Sequence, residues 1–543
     1  MNAQLTVPWR IIPGAFHGAT TLLLGGLAAC AVEVAEPVGN VASWVRQASG
    51  IELKCGGRQA VRIDILTPSL FRVRFAVDGE FAEGPLIKDW GLVRPNESFP
   101  PAQFKLSETA NQLQLATTQL RLELAKTPLR IAVFDHQGLL LTREPAAPGM
   151  SAGAGAWIQM EHSAEEHFFG LGEGIGTFNP AAPFRYFRFP EFKNISIHGT
   201  QLDQSVISLD QAGKRIFFCL GPNWAGQCMT PAVIPFFLST RGYGIYLNEF
   251  RDTVFDLGCT RSNAWSMSIG GPPNQIPNAN RLDYYFIGGP SFPKILDTYT
   301  DLTGRTPLLP KWSLGYLQIC NFNQKQAEVA ALARDFRQRD FPCDMLLLEP
   351  GWMKTPYRMD GWSAERFPDP ATLIADLQGL NFRLGLWQCG PADWVFTSWD
   401  LLKRQVNQWG VDITHPAEAG KYQGFHKPYY EQGIAFFKQD GCGQSEWQPD
   451  ESYHNGLSGK EMHNIIPTLY SRLMAEASRR FTGRRGLNFN PMVGPSQQRF
   501  PGIWPSGDGG GGHNMFVGEL NLGLSGHSYT THDFTDRSPA GIH

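Results

Sequence analysis

Two rhythms of apolar and polar residues divide this chain. From Val41 to Gly289 the segments IELKC, VRIDILTPSLFRVRF, LQLATTQLRLEL and LRIAVFD alternate apolar and polar positions and are separated by Gly, Pro and Asn turns. A period of two marks a strand with one buried face. Many short strands without long helical periods predict a β-sandwich, which we place at residues 41–300. Within it, HFFGLGEG at 167–174 and PFFLSTRGYGIYLN at 235–248 read as hairpins with Gly at positive φ. DYYFIGG at 283–289 closes the strand-rich region.

At Leu308 the rhythm changes. LLPKWSLGYLQ starts a strand, and Gln324 to Gln338 carries Val329, Leu332, Ala333 and Phe336 at helical spacing. Strand and helix then alternate: strands at Met345–Leu348, Phe382–Trp387, Ile434–Phe437 and Gly486–Asn490, helices at Pro370–Leu380, Trp399–Trp409 and Glu461–Phe481. Repeated βα units mean a parallel sheet. With this many units and no nucleotide-type glycine fingerprint, residues 308–543 are expected to form a (β/α)8 barrel.

In such a barrel the C-terminal ends of the strands line the active site. Those ends are Glu349 after MLLL, Trp387 after RLGL, Asp440 after AFFK, Asp508 after IWPSG, and His532-Asp533 after HSYTT. The stretch GIAFFKQDGCGQSEW at 433–447 is the most informative, an apolar strand that surfaces into a Gly-Cys-Gly turn. Lys438 and Asp440 lie two apart, so on a strand they share a face, and the neighbouring cation favours the ionised carboxylate. A plain alternative is an Asp that closes a strand as a turn former, and Asp508 in GDGGGG has the same alternative. Two carboxylates from different strands in one pocket are the machinery of glycoside hydrolysis. The attacker must be ionised and the proton donor neutral, so their surroundings must differ. Asp440 has Lys438 beside it, whereas Asp508 follows Trp504 and Pro505 in an uncharged Gly-rich loop.

Composition excludes more than it selects. The 543 residues suffice for two or more full cores, and 42% hydrophobic with 18% charged residues is ordinary for a globular chain. A net charge of -3 without a Lys/Arg-rich run gives no footing for nucleic acid. Nine cysteines without CxxC pairs or zinc-type spacing argue against a structural metal and a disulfide framework, and no cofactor is expected. TTLLLGGLAACA at 20–31 is too short to span a bilayer but fits the apolar core of a secretory signal after Arg10. Leu27-Ala28-Ala29-Cys30 resembles a lipoprotein lipobox. Residues 1–31 are therefore expected to export the chain to the periplasm or cell surface, with a possible lipid anchor at Cys30; a chain without that signal would be cytoplasmic.

The segments FFGLGEG (168–174), PFFLSTRGYGIYLN (235–248), LTGRTPLLPKWSLGY (302–316), FPCDMLLLEPGWM (341–353), FKQDGCGQSE (437–446), QRFPGIWPSGD (498–508) and THD (531–533) together resemble glycoside hydrolase family 31, in family order. That family consists of retaining α-glycosidases with a few lyases and transglycosylases. The resemblance implies that Asp440 is the nucleophile and Asp508 the proton donor. It places Glu349, Arg499, Trp504 and His532 at sugar-contacting positions, alongside Trp387 and Lys438 from the strand ends. It implies an oligosaccharide or glycoside substrate, cleaved by double displacement. The alternatives are an inactive carbohydrate-binding relative, or a lyase or transglycosylase using the same nucleophile.

Three departures bear on the sugar. The family usually has Asp where Glu349 stands, and the longer side chain followed by Pro350-Gly351 reshapes the pocket. FNPMVG at 489–494 lacks the Arg expected before Arg499, with Pro491 near its place. One residue more than usual separates Trp504 from Asp508. The family also continues beyond His532-Asp533 through an eighth βα unit and further β domains, so the resemblance implies a barrel missing its last βα unit, as in a fragment.

Overall fold

A computed structural model describes residues 36–152, 156–172, 177–179, 182–185, 195–198, 208–209, 215–216, 232, 234–251, 253–258, 261–269, 281–355, 358–389, 412–440, 452–462, 464–490, 493–502 and 513–531. The expected export segment with Cys30 and the expected helix at Trp399–Trp409 lie outside these residues.

The strand-rich half folds into two antiparallel sheets of eleven and eight strands. In the larger sheet, Gln112–Ala116, Leu120–Lys126 and Leu129–Asp135 bury every second residue, as their period of two requires. Leu113, Leu115, Leu122, Leu124, Ile131 and Val133 meet Val61, Ile63, Val73 and Phe75 of the smaller sheet. The centre of that smaller sheet is buried on both faces: Leu70–Ala76 shows no exposed position. Its second face, including Leu70, Phe236, Tyr246, Tyr285 and Ile287, joins Ile295, Tyr299 and Leu302 of a connecting helix, Phe292–Thr303, in one core that continues into the barrel. Phe236 and Tyr299 stack with ring centroids 3.8 Å apart. Arg72 and Arg74, caught in this double burial, are neutralised by Asp283, Glu83 and Asp64 at 2.6–2.9 Å.

The second half is a TIM-barrel domain. Its described strands are β1 (Leu317–Cys320), β2 (Met345–Leu348), β3 (Arg383–Cys389), β4 (Phe436–Asp440) and β5 (Leu487–Phe489), parallel and in sequential order. The helices between them are α1 (Gln326–Gln338), α2 (Pro370–Gly379), α3 (Pro416–Gln432) and α4 (Ile466–Thr482), and α5 (His513–Leu524) follows β5. The strand expected at LLPKWSLGYLQ begins only at Leu317, because Pro310 starts a 3-10 turn over Lys311–Leu314. The single helix expected over Glu461–Phe481 is two, a short turn at Gly459–Met462 and then α4, with Pro467 admitted in the first turn of the latter. Helix α3 ends at Gly433, whose left-handed φ of 105° favours glycine at this C-cap.

The two halves are tied by backbone contacts to one loop. Arg472 of α4 donates to the Trp90 carbonyl at 2.8 Å, and Arg499 donates to the Gly91 carbonyl at 2.7 Å. No helix among the described residues is long and apolar enough to cross a membrane.

Candidate active site

Parity along the strands decides which side chains enter the barrel. Met345 and Leu347 of β2, Phe436 of β4, and Leu487 and Phe489 of β5 form one cluster, packed against Leu317 and Ile319 of β1. They are the inward set, alternating with Leu346, Leu386 and Phe437, which pack in the helix-facing core. Continuing each strand by two puts Glu349, Trp387, Lys438 and Asp440 on the inward face at the C-terminal mouth. Gly385 belongs to the same set. A Cβ there would lie 2.1 Å from a Phe436 ring carbon, so the glycine makes space for the aromatic floor beneath the mouth.

The register aligns these groups. Trp387 pairs with Lys438 and Cys389 with Asp440 across β3 and β4. The Trp387 indole Nε1 donates to Asp440 Oδ2 at 3.0 Å, a bond to a carboxylate that fixes one of its oxygens. Trp387 is itself held from behind, its carbonyl accepting from Trp352 Nε1 at 2.9 Å. Lys438 reaches across β3 to Glu349, with Nζ 3.5 Å from Oε1. The Lys438 side chain is 6% exposed and that of Glu349 22%. Among the described barrel residues Lys438 is the one buried charged side chain. A cation between two acids on one inward face keeps the local charge balance while presenting a carboxylate of fixed orientation.

Four of the residues expected at the site, Glu349, Trp387, Lys438 and Asp440, are thus brought together. Arg499 is engaged elsewhere: its guanidinium bonds the Gly91 carbonyl and packs over Gly304, where a Cβ would lie 2.1 Å from Arg499 Cδ. Burial, and then the neighbouring Arg472, draw its pKa below the ordinary guanidinium range. Trp504, Asp508 and His532 lie outside the described residues. Trp352, buried against Trp362 and Tyr429, is a supporting residue that the sequence reading passed over. Its signal was a large aromatic three residues after a strand-end acid. Among the described residues no group of three or more His, Cys, Asp or Glu side chains is arranged to hold a metal ion. Cys320 and Cys343 are buried free thiols, and burial pushes Cys320 up to about 12.

A TIM barrel with Glu349 and Asp440 at its strand ends, behind a double-sheet N-terminal domain, is an architecture that can hold the paired carboxylates of glycoside chemistry. Residues 306–536 match the family 31 glycosyl hydrolase TIM-barrel domain, and residues 60–182 match the glycosyl hydrolase 31 N-terminal galactose mutarotase-like domain. The chain belongs to glycoside hydrolase family 31. An alpha-xylosidase of Emericella nidulans is 28% identical over 328 residues, covering 55% of this chain and 40% of that protein. An alpha-xylosidase of Saccharolobus solfataricus is 26% identical over 382 residues, covering 66% of this chain and 50% of that protein. The chain therefore spans about half the length of these curated relatives or less. A Flavobacterium johnsoniae GH31 dextranase complexed with glucose superposes with a TM-score of 0.75 at 20% identity, over 92% of this chain and 61% of that one. At that identity the likeness is one of fold.

Proposed function

We propose that the protein is a retaining α-glycosidase acting by double displacement. An Asp440 oxygen attacks the anomeric carbon as the bond to the leaving oxygen breaks, and Asp508 transfers its proton to that oxygen. Water then attacks the glycosyl ester, giving its proton back to Asp508 and releasing Asp440. A separation of about 5 to 5.5 Å between the two carboxyl groups suits this route. The observation that carries the reading is the Asp440 carboxylate on the inward face of β4, oriented by the Trp387 indole and next to the buried Lys438.

For the substrate, we propose an α-linked sugar for which α-xyloside is preferred over plain α-glucoside. One observation supports this preference, that both relatives above are named alpha-xylosidases; the resemblance adds that Glu349 stands where the family usually has the shorter Asp. The test is a screen of aryl α-xyloside, α-glucoside and α-galactoside, with the product's first-formed anomer followed by proton NMR. Release of the α-anomer first supports the mechanism. Release of the β-anomer, or of an unsaturated or anhydro sugar, would replace it with inversion or a lyase reaction.

A further inference from the structure

Behind the inward face lies a polar layer that the proposed chemistry does not use. Gln388 of β3, Gln439 of β4, and Asn488 of β5 each alternate with an inward residue and so face the helices. All three are buried, Gln388 and Gln439 completely. Gln388 and Gln439 are paired directly across β3 and β4. Asn488 Nδ2 donates to Gln439 Oε1, and His426 of α3 stands against Gln388 with Nε2 facing Oε1. The other imidazole nitrogen, Nδ1, lies 3.1 Å from the Tyr422 carbonyl.

These contacts overdetermine the protons. A carbonyl only accepts, so Nδ1 must carry the hydrogen. A neutral imidazole then has a bare Nε2, which needs a donor rather than the oxygen that Gln388 presents. Burial holds the imidazole neutral, its pKa pushed down to about 4. Meanwhile the Nε2 groups of Gln388 and Gln439, on directly paired residues, are both buried without a partner. A half-turn of the Gln388 amide exchanges its oxygen and nitrogen and answers both demands at once. Its NH2 would then donate to His426 Nε2, and its oxygen would be turned toward the side of the paired Gln439, whose NH2 needs an acceptor.

We propose that Asn488, Gln439, Gln388 and His426 form one directed hydrogen-bond relay, ending on the Tyr422 carbonyl, that fixes the register at which Trp387 meets Asp440. The relay runs from Asn488 to Gln439, then to Gln388, then to His426. Gln388 adjoins Trp387, and Gln439 lies between Lys438 and Asp440, so the relay grips the two strands at the residues that present the indole and the carboxylate. Its members touch no substrate and are positioning residues. This role rests on the reading of Asp440 as nucleophile; the direction of the relay does not.

The tautomer of His426 tests the relay itself. In a 15N-histidine spectrum of the protein, with the signal assigned by loss in His426→Gln, we expect protonated Nδ1 and bare Nε2 from pH 5 to 8. A protonated Nε2 at these pH values overturns the relay. The Trp387 indole signal, assigned with Trp387→Phe, tests positioning without reference to activity. It should shift in Gln388→Met and His426→Met yet stay near its wild-type position in His426→Gln, whose carbonyl can still accept from Gln388. Indistinguishable signals in the near-isosteric Gln and Met variants would reduce His426 to a space filler. On a hydrolysed aryl glycoside, Gln388→Met should lower kcat about 10-fold with KM within about twofold, since small displacements of a reacting group act on the transition state. A change confined to KM would overturn the positioning role. A wild-type protein that hydrolyses no glycoside would refute the proposed function, leaving the two spectra to judge the relay.

Discussion

The two halves of the molecule bury polar side chains in opposite ways. In the sandwich the buried groups include six ionisable side chains: Asp64, Arg72, Arg74, Glu144, Glu166 and Glu249. In the barrel the buried polar side chains are neutral amides, hydroxyls and imidazoles such as Gln388, His426, Gln439, Asn490, Asn521 and His527, with Lys438 the exception among the described residues. A buried charge must be paired or solvated by the protein. The sandwich meets that requirement internally, by ion pairs, by hydroxyls from Ser239 and Tyr243 for Glu166, both at 2.6 Å, and by the backbone N–H groups of Ile131 and Met150 for Glu144, also at 2.6 Å. The barrel avoids it, so the field at its mouth is set by the few charges placed there. On the function proposed above, charge in the first half serves cohesion and in the second serves chemistry.

The largest effect that could break this division is at Asp440. Asp440→Asn keeps the side chain's shape and should lower kcat on an aryl α-glycoside by roughly 10⁴-fold or more, the scale of losing a nucleophile. The melting transition should stay within a few degrees of wild type. Near-normal turnover would show that the mouth charge is no more chemical than those of the sandwich.

The converse experiment is Arg72→Met. Arg72 is completely buried, bonded to Asp283 and Glu83. Removing the cation leaves Asp283 short of a partner, and breaking such a pair costs about 3 to 5 kcal/mol. Denaturant unfolding should show that loss, while kcat per folded molecule stays unchanged. A variant as stable as wild type would mean that the network is replaceable packing.

Acid should separate the two designs, by about 3 kcal/mol or more. Burial lowers the pKa of His426 from 6.5 to about 4 and that of His527 to about 3. For a depressed histidine the unfolded chain binds the proton more tightly, so the stability it contributes is full above pH 6.5 and lost as pH falls toward 4. With one pKa unit worth 1.36 kcal/mol, His426 alone accounts for about 3 kcal/mol. In the sandwich the sign is opposite over much of this range. Burial raises Glu144 to about 7, against opposing backbone hydrogen bonds and Arg130. Its contribution is fully present below the ordinary glutamate value of 4.5 and is lost as pH rises through 7. Asp64, held below its usual range by Arg74 and Arg62 in spite of burial, gives way only as pH falls below the ordinary aspartate value of 3.8. Hydrogen exchange from pH 7 to 4 should therefore show protection falling in α3 and β4 while Leu129–Asp135 holds. His426→Gln should flatten the barrel's response. Simultaneous loss in both halves would contradict the division.

The same contrast explains what the sequence made legible. The sandwich strands and β2, β3 and β4 could be read because apolar periodicity records which face is buried, and the spacing of Lys438 and Asp440 placed both on one face. Helix α3 was hidden because its buried side includes Gln423 and His426, with Pro428 inside the helix. Polar core residues erase the periodicity on which the reading depends. Gln388, Gln439 and Asn488 were invisible as a layer for the same reason. The engagement of Arg499 with Gly91, 408 residues away, is set by tertiary packing that no local pattern encodes.

The finest test is the hydrogen bond from Trp387 to Asp440, which depends on the register of two strands. Trp387→Phe keeps an aromatic wall, 4% exposed in the wild type, and removes only the indole N–H and one ring. A hydrogen bond to a charged group is worth about 1.5 to 3 kcal/mol, but Asp440 has further interactions at the mouth, so the lower end is expected. We predict a kcat/KM about 10-fold lower, equivalent to about 1.4 kcal/mol. The loss should fall on kcat, because a misaligned carboxylate harms the transition state more than ground-state binding. If KM alone rose, Trp387 would be a sugar wall and nothing more. The orientation of Asp440 would then have to come from its remaining contacts at the mouth, and the neutral scaffold behind β3 would lose its connection to the chemistry in front of it.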